Sequence, residues 1–282
     1  MMLSRSVRVG LALICAAGLF TSVAGGTAAA KPPRAKASVI GGTPASLTDW
    51  GFTAAVLTTN TLCTGSVLSP TKVLTAAHCV APAPTMTVRT NSTSAFIGGD
   101  VHAVSSVSVN PGWTHGFLGD LAILTLRTPT LAPTVQPASA AEDSVLTKAG
   151  TALSVAGFGA RNPAPRRKPK VGLLMTATVF VHGFCPVPTS LLCDAGGKSG
   201  LHAIRKIKGK VHKRVIQRTV CEGDSGGPMI ATTPAGPRLV GVAEATASPP
   251  KRSTFGFVWC GLKGFPGLHT RVASWLGFIQ GG

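Results

Sequence analysis

The chain has 282 residues, with 27 Lys or Arg against 9 Asp or Glu and a formal net charge of +18. That length holds one large domain or two small ones sharing a core. The charge bears on solubility and on contact with anionic surfaces, and no segment after the first thirty residues is apolar enough for a membrane span.

At the start, Arg5 and Arg8 form a positive region, Val9 to Ala24 is an apolar run, and Ala28-Ala29-Ala30 offers a small-residue cleavage site. This reads as a secretory signal peptide over 1–30, which predicts a secreted, extracellular protein. A membrane anchor is the competing reading, but the run is short for a span. Lys31 to Ser38 is basic and Pro-containing and reads as a pro-segment, leaving about 245 residues for the working protein. Of seven cysteines, Cys15 leaves with the signal. The even set that remains in an exported chain predicts three disulfides, although spacing alone does not choose their pairing. Zinc is the rival reading, and neither CxxC nor HExxH occurs.

Val39-Ile40-Gly41-Gly42 reads by itself as the start of an edge strand. Short apolar runs follow at Phe52–Leu57, Ser66–Leu68, Lys72–Ala77, Thr85–Val88, Val101–Val109 and Leu121–Leu126. Turn residues such as Ser69-Pro70, Gly98-Gly99 and Asn110-Pro111-Gly112 separate them. A second set covers Thr151–Ala156, Gly172–Val181, Pro228–Ala231, Leu239–Ala243 and Leu268–Val272. Many short strands with little helical periodicity predict an all-β sandwich or barrel. Val101 to Val109 alternates, with Val101, Ala103, Ser105, Val107 and Val109 on one face. The tail from Val272 to Ile279 is the one convincing amphipathic helix. Two basic inserts interrupt the pattern. Arg161 to Lys170 is Pro-rich and predicts an exposed loop. Lys198 to Arg218 carries eight Lys or Arg and fits a basic amphipathic helix or a solvated hairpin equally well.

Three stretches carry chemistry. Cys221-Glu222-Gly223-Asp224-Ser225-Gly226-Gly227-Pro228 surrounds one serine with glycines, whose backbone freedom permits a sharp turn that aims successive N–H groups at one point. The bland alternative is a Gly-rich surface turn. A serine hydroxyl is a weak nucleophile without a base, and Leu74-Thr75-Ala76-Ala77-His78-Cys79 ends an apolar run on a histidine flanked by small residues. Gly119-Asp120-Leu121-Ala122-Ile123-Leu124 places one of few acidic residues at the mouth of a buried strand, where it is either a cap or a partner to a cation.

In that order, LTAAHC, GDLAIL and CEGDSGGP resemble the trypsin/chymotrypsin-like serine peptidase family, and the resemblance runs from Val39 to the end of the chain. It implies two antiparallel six-stranded β-barrels with the active site in the cleft between them, and a C-terminal helix. The corresponding boundaries are a domain over 39–282, with barrels over about 39–145 and 146–270 and a helix over about 271–280. Ser225 resembles the nucleophile, His78 the general base and Asp120 the carboxylate that orients the imidazole. The N–H groups of Gly223 and Ser225 resemble the oxyanion hole. The implied reaction is peptide hydrolysis through an acyl-enzyme on protein or peptide substrates, needing neither metal nor organic cofactor. Ala81 to Gly99 carries no acidic residue, so the calcium loop of some relatives is not expected.

Val39 resembles the family's new N-terminus, whose ammonium pairs with a buried aspartate, here Asp224. The resemblance therefore implies a zymogen, although Ser38 rather than a basic residue precedes Val39. It also implies the disulfides Cys63–Cys79, Cys185–Cys193 and Cys221–Cys260. Thr219 and Val220 fall at the base of the primary pocket, and Gly267 resembles one wall. The other wall is either Thr254-Phe255-Gly256, with Gly256 in the pocket, or Glu244-Ala245-Thr246. No counter-ion for a basic side chain is visible at the base, so apolar residues are expected at the scissile position. A monomer is expected, with no sequence-specific nucleic-acid recognition. The alternative function is a non-catalytic or weakly active protease-like binder of anionic surfaces that uses the basic inserts.

Overall fold

The computed structural model describes residues 39–80, 85–114, 116–161, 171–183, 185, 188–207, 210–246 and 260–281. The signal peptide expected over 1–30, the pro-segment over 31–38, Gly256 and most of the 161–170 loop lie outside the described residues.

The strands are β1 (Thr43–Pro44), β2 (Thr53–Thr58), β3 (Leu62–Ser69), β4 (Lys72–Thr75), β5 (Met86–Thr90), β6 (Asp100–Val109), β7 (Ala122–Leu126) and β8 (Gln136–Pro137). Then come β9 (Ala152–Gly157), β10 (Met175–Val181), β11 (Leu191–Gly196), β12 (Lys198–Ile207), β13 (Lys210–Gln217), β14 (Pro228–Thr233), β15 (Gly236–Thr246) and β16 (Gly267–Arg271). Helices are short: α1 (Leu47–Trp50), α2 (Ala140–Leu146) and α3 (Leu276–Gly281), the last entered through a 3₁₀ turn over Val272–Trp275. The first barrel closes in the order β2-β3-β4-β7-β6-β5. The second runs β10-β11-β16-β15-β14-β9 and closes through β9–β10 pairing, with β1 added to β10 and β8 lying parallel to β15. Closure leaves no open edge in either barrel.

Strand alternation explains the interiors. In β10, Met175, Ala177, Val179 and Val181 point inward while Phe180 is exposed, the period-2 pattern of a pleated strand with one buried face. β6 reverses the naive reading. Its valine-rich face, with Val101, Val107 and Val109, is exposed, while His102 is buried on the other side. The imidazole is satisfied there by Thr90 Oγ1 at 3.2 Å and Thr128 Oγ1 at 3.0 Å, so the inward position tolerates a polar ring.

Among the described residues, three large apolar clusters hold the fold, beside a small fourth one around Ile40, Ile216, Cys260 and Leu262. Val56, Val67, Val73, Val88 and Leu124 fill the first barrel. Leu153, Val155, Val179, Leu192, Met229 and Val240 fill the second. A third cluster lies between the barrels, where Phe52, Leu74 and Leu121 from the first meet Phe158, Leu174 and Val242 from the second, together with Val272 and Ile279 of the C-terminal segment. Each such side chain contributes about 1.5–3 kcal/mol by burial, so this layer fixes one barrel against the other. The amphipathic tail is part of it: Trp275, Leu276 and Phe278 pack against the same cluster.

The sequence reading gave no helix at α2. Its start is a reciprocal cap, with Glu142 N donating to Ser139 Oγ at 3.2 Å and Ser139 N donating to Glu142 Oε2 at 2.8 Å, which satisfies backbone donors the first turn leaves open. The basic insert at 198–218 is a hairpin. β12 and β13 pair antiparallel with one another as a separate two-stranded sheet. A repeat of four suits a strand face as well as a helix face, and Val211 and Val215 both lie exposed while Ile216 is buried against the Cys221–Cys260 region.

Candidate active site

Thr75 ends β4, and the fully buried Ala76 and Ala77 lead into the 3₁₀ turn Ala77–Cys79 that carries His78. Only small side chains fit there, because the turn packs inside the first barrel. Asp120 sits just ahead of β7 and is 2 % exposed. Gly119 precedes it at φ +66°, a left-handed conformation suited to glycine, and Asn110 Nδ2 donates to the Gly119 carbonyl at 2.9 Å. The structure brings the two residues together twice. His78 N donates to Asp120 Oδ1 at 2.8 Å, and His78 Nδ1 lies 2.5 Å from Asp120 Oδ2. One carboxylate thus holds both the turn and the ring.

Ser225 lies on the loop from Cys221 to Gly227. Gly223 at φ +93° and Gly226 at φ +82° reverse the chain on either side of it. A Cβ on Gly226 would collide with Thr64 O and Thr75 Oγ1, so close approach as well as φ requires glycine there. Thr64 on β3 ties this loop to the other barrel. Its N–H donates to Ser225 O at 2.8 Å and its hydroxyl to Gly223 O at 2.9 Å, while Thr75 Oγ1 donates to Thr64 O at 2.8 Å. Beside it, the Cys63–Cys79 disulfide joins β3 to the histidine turn. Cys79 Sγ stands 3.8 Å from His78 Nε2 and 3.7 Å from Ser225 O, so imidazole and serine share a neighbour. The Ser225 hydroxyl donates to the Glu244 carbonyl at 3.3 Å.

Asp224 is fully buried. Its carboxylate accepts Gly159 N and Cys221 N, each at 2.8 Å. A Cβ on Gly159 would lie 2.6 Å from the Asp224 Cγ, which explains glycine at that position. Burial pushes the Asp224 carboxyl up to about 7, against the lowering by those two N–H donors. Val39 and Ile40 are both fully buried, and Ile40 N donates to Thr219 O at 2.9 Å.

Next to Ser225 opens a cavity of about 250 Å³ lined by Val220, Ala243, Glu244, Thr246 and the Cys221–Cys260 disulfide. Of the two expected walls, β15 supplies Glu244 and Thr246. Thr219 and Gly267 meet at Asp194, a buried acid that sequence reasoning missed. Thr219 Oγ1 donates to its Oδ1 at 3.1 Å, Gly267 N to Oδ1 at 3.1 Å, and His269 Nε2 lies 2.9 Å from Oδ2. Of the residues expected to form the pocket, Val220 lines the cavity, while Thr219 and Gly267 are buried on Asp194 and are not among its lining residues; all three donors to that carboxylate belong to the protein. The third disulfide, Cys185–Cys193, is anchored one residue before Asp194.

His269 carried no motif and was also missed, whereas Glu244 was named only as part of one of the two alternative walls. Asp194 had a readable signal, an acid embedded in the apolar run Leu191-Leu192-Cys193, in a chain with nine acidic residues. Thr64 had none, since only the fold brings it to Ser225. Among the described residues, the one close grouping of possible metal donors is Cys63, His78 and Cys79, whose two sulfurs are joined and offer no thiolate.

Comparison with known proteins agrees with this architecture. The family model described as Trypsin matches residues 39–279. The chain is 26% identical to "Trypsin" of Saccharopolyspora erythraea over 84% of this chain and 94% of that protein. It is 26% identical to "Trypsin CFT-1" of Choristoneura fumiferana over 88% of this chain and 92% of that one. It is 30% identical to human "Serine protease 56" over 88% of this chain and 39% of that longer protein. The chain belongs to the trypsin family and is a serine endopeptidase, a hydrolase of peptide bonds.

Proposed function

We propose that the protein is a secreted endopeptidase in which Ser225 attacks the scissile carbonyl, His78 takes the hydroxyl proton and Asp120 orients the ring. Carrying this reading is the arrangement in which the first barrel supplies the His78–Asp120 pair while Thr64 clasps the Ser225 loop of the second. In this reading the Ser225 hydroxyl leaves the Glu244 carbonyl for His78 Nε2 by side-chain rotation, a fast motion. The negative oxygen formed on attack is received by the N–H groups of Gly223 and Ser225, each donor being worth roughly 10²–10³ in rate. His78 returns its proton to the leaving amine, and water repeats the cycle on the acyl-enzyme. Labelling with a serine-directed fluorophosphonate tests this: the label should map to Ser225 and be lost in Ser225→Ala. Equal labelling of both proteins overturns the assignment.

At the scissile position the protein prefers apolar residues. Val220 lines the cavity, and Asp194 is engaged by Thr219, Gly267 and His269. Asp194 is therefore not free to pair with a substrate cation. A peptide-library digest dominated by cleavage after Lys or Arg refutes this.

The precursor is a zymogen. Buried Asp224, with only backbone donors and a carboxyl pushed up to about 7, is suited to an ammonium, and the Ile40–Thr219 bond holds Val39 in the interior. Cleavage between Ser38 and Val39 requires an activator that accepts a small residue. N-terminal sequencing of the secreted form should begin at Val39; any other start removes the Asp224 pairing. Exposed Lys198, Lys210 and Lys213 on the β12–β13 hairpin support electrostatic contact with anionic surfaces, which should weaken as salt rises.

A further inference from the structure

The hydrogen bonds to the Asp120 carboxylate, at 2.8 and 2.5 Å, both come from His78, the group it orients. What holds Asp120 itself must therefore act through its backbone. That backbone is the inner end of an exposed loop, in which Phe117 and Leu118 are 56 % and 39 % exposed. Asn110 follows β6, is buried, and brackets Asp120 on both sides. Its Nδ2 donates to Gly119 O at 2.9 Å and its N to Leu121 O at 2.9 Å. Gly119 O also receives Leu121 N at 2.7 Å, which closes a three-residue turn centred on Asp120. Asn110 Oδ1 accepts Gly112 N at 3.1 Å and so holds the amide in this orientation. The Trp275 indole, in the 3₁₀ turn before α3, lies against the same loop. A Cβ on Gly119 would stand 3.0 Å from its Cη2, and one on Gly112 2.5 Å from its Cζ3.

We propose that Asn110 is a positioning residue for Asp120, and that Trp275 backs it by packing on Gly112 and Gly119. A peptide unit is planar and stiff, so the two units flanking Asp120 decide where its side chain leaves the turn. One carries Gly119 O and the other Leu121 N, and these are bonded to each other. Both planes thus converge on one oxygen, and Asn110 Nδ2 ties that oxygen to the end of β6. Without the amide the turn stays closed but keeps only the Asn110 N–Leu121 O bond to that strand, and it can tilt about it. Gly119, at φ +66°, has the backbone freedom to allow the tilt. Trp275 restrains it from the C-terminal segment. Its ring packs on the cluster between the barrels, so the Asp120 loop is seated on the layer that joins them.

This rests on the reading of His78, Asp120 and Ser225 given above. Asn110→Ala and the milder Trp275→Phe are each made in two backgrounds. In the active protein, kcat is measured with a saturating peptide substrate. A shift of about 1 Å at Asp120 should lower it by roughly 10²-fold in Asn110→Ala, and by less in Trp275→Phe. In Ser225→Ala, which suppresses self-digestion, the proton between His78 Nδ1 and Asp120 is followed by ¹H NMR. A short, charge-assisted hydrogen bond places that proton far downfield, and in both variants it should move upfield and broaden. Glu142→Gln, at the cap of α2, weakens the fold elsewhere and should leave the resonance in place, which separates lost position from lost stability. A resonance of unchanged position and width in both variants, or wild-type kcat in both, overturns the proposal. Absence of the resonance from the Ser225→Ala parent instead overturns the His78–Asp120 pair on which the proposal rests, and is distinguishable from either.

Discussion

Replacing Asp194 by Ala tests the buried polar cluster that joins β11 to Thr219 and β16. Asp194 is 1 % exposed and receives Thr219 Oγ1, Gly267 N and His269 Nε2. Truncation leaves three buried donors without acceptors, and each such loss carries about 1–3 kcal/mol. Water entering the vacated space recovers part of this, which gives roughly 3–5 kcal/mol in total, a large share of the ~5–15 kcal/mol that holds a typical domain together. Asp194→Asn separates the contributions. Its carbonyl oxygen keeps the Thr219 and Gly267 bonds, while its amide faces His269 and forces the other imidazole tautomer. That tautomer protonates Nδ1, which is buried without a partner, so the Asn variant should lose about 1–3 kcal/mol. Urea unfolding in a Ser225→Ala background, which suppresses self-digestion, gives both values. The order wild type, Asn, Ala is expected, with comparable m-values. Equal losses for the two variants, or less than about 1 kcal/mol for Ala, would refute the claim that the protein itself saturates this carboxylate.

Other perturbations follow from the same geometry. Gly226→Ala drives a Cβ into Thr64 O at a φ of +82°, and a displacement of about 1 Å at the adjoining Ser225, the proposed nucleophile, should lower the fluorophosphonate labelling rate by about 10²-fold; an unchanged rate refutes the close approach. Opening the Cys221–Cys260 disulfide by paired serines releases a loop with a sequence separation of 39, for which chain entropy gives about 3–4 kcal/mol of lost stability, measurable by urea unfolding. Backbone and hydroxyl bonds from Ser139, together with Arg238, lower the Glu142 carboxyl to about 2. A depressed carboxyl stabilises the fold above its ordinary value of 4.5, and that contribution is lost as pH falls toward 2. Glu142→Gln should therefore show a smaller drop in Tm than the wild type between pH 5 and pH 2; identical drops refute the role of the cap.

The strands, the barrel architecture and the amphipathic tail were legible because each leaves a local trace: short β-branched runs, turn residues between them, and apolar positions at helical spacing. His78 and Asp120 stand out for a similar reason, as polar residues set into apolar runs, and the structure joins them. What escaped depends on partners far away in the chain. Thr64 looks like any strand threonine until β3 meets the Ser225 loop, 159 residues from it in the bond to Gly223. His269 and Asp194 acquire meaning only as neighbours across β11 and β16. Glu244 sits in an apolar strand with no helper in sequence, and its hydrogen-bond partner, Thr270, comes from β16. The capping residues of α2 were local and readable; the S-x-x-E pattern at Ser139 to Glu142 was the available signal.

The β12–β13 hairpin is fastened at its base, where Arg218 N donates to Gly197 O at 2.9 Å, Gln217 N donates to Gly261 O at 2.6 Å and Ile216 is bridged to Leu262. Beyond that base, β12 and β13 pair only with one another, so a shorter turn or a foreign insert could be spliced into the outer part of the hairpin without retying the barrel. Because the same base touches Gly41 through Arg218 Nε at 3.3 Å, whatever is grafted onto the hairpin would sit within mechanical reach of the segment that follows Val39 and Ile40.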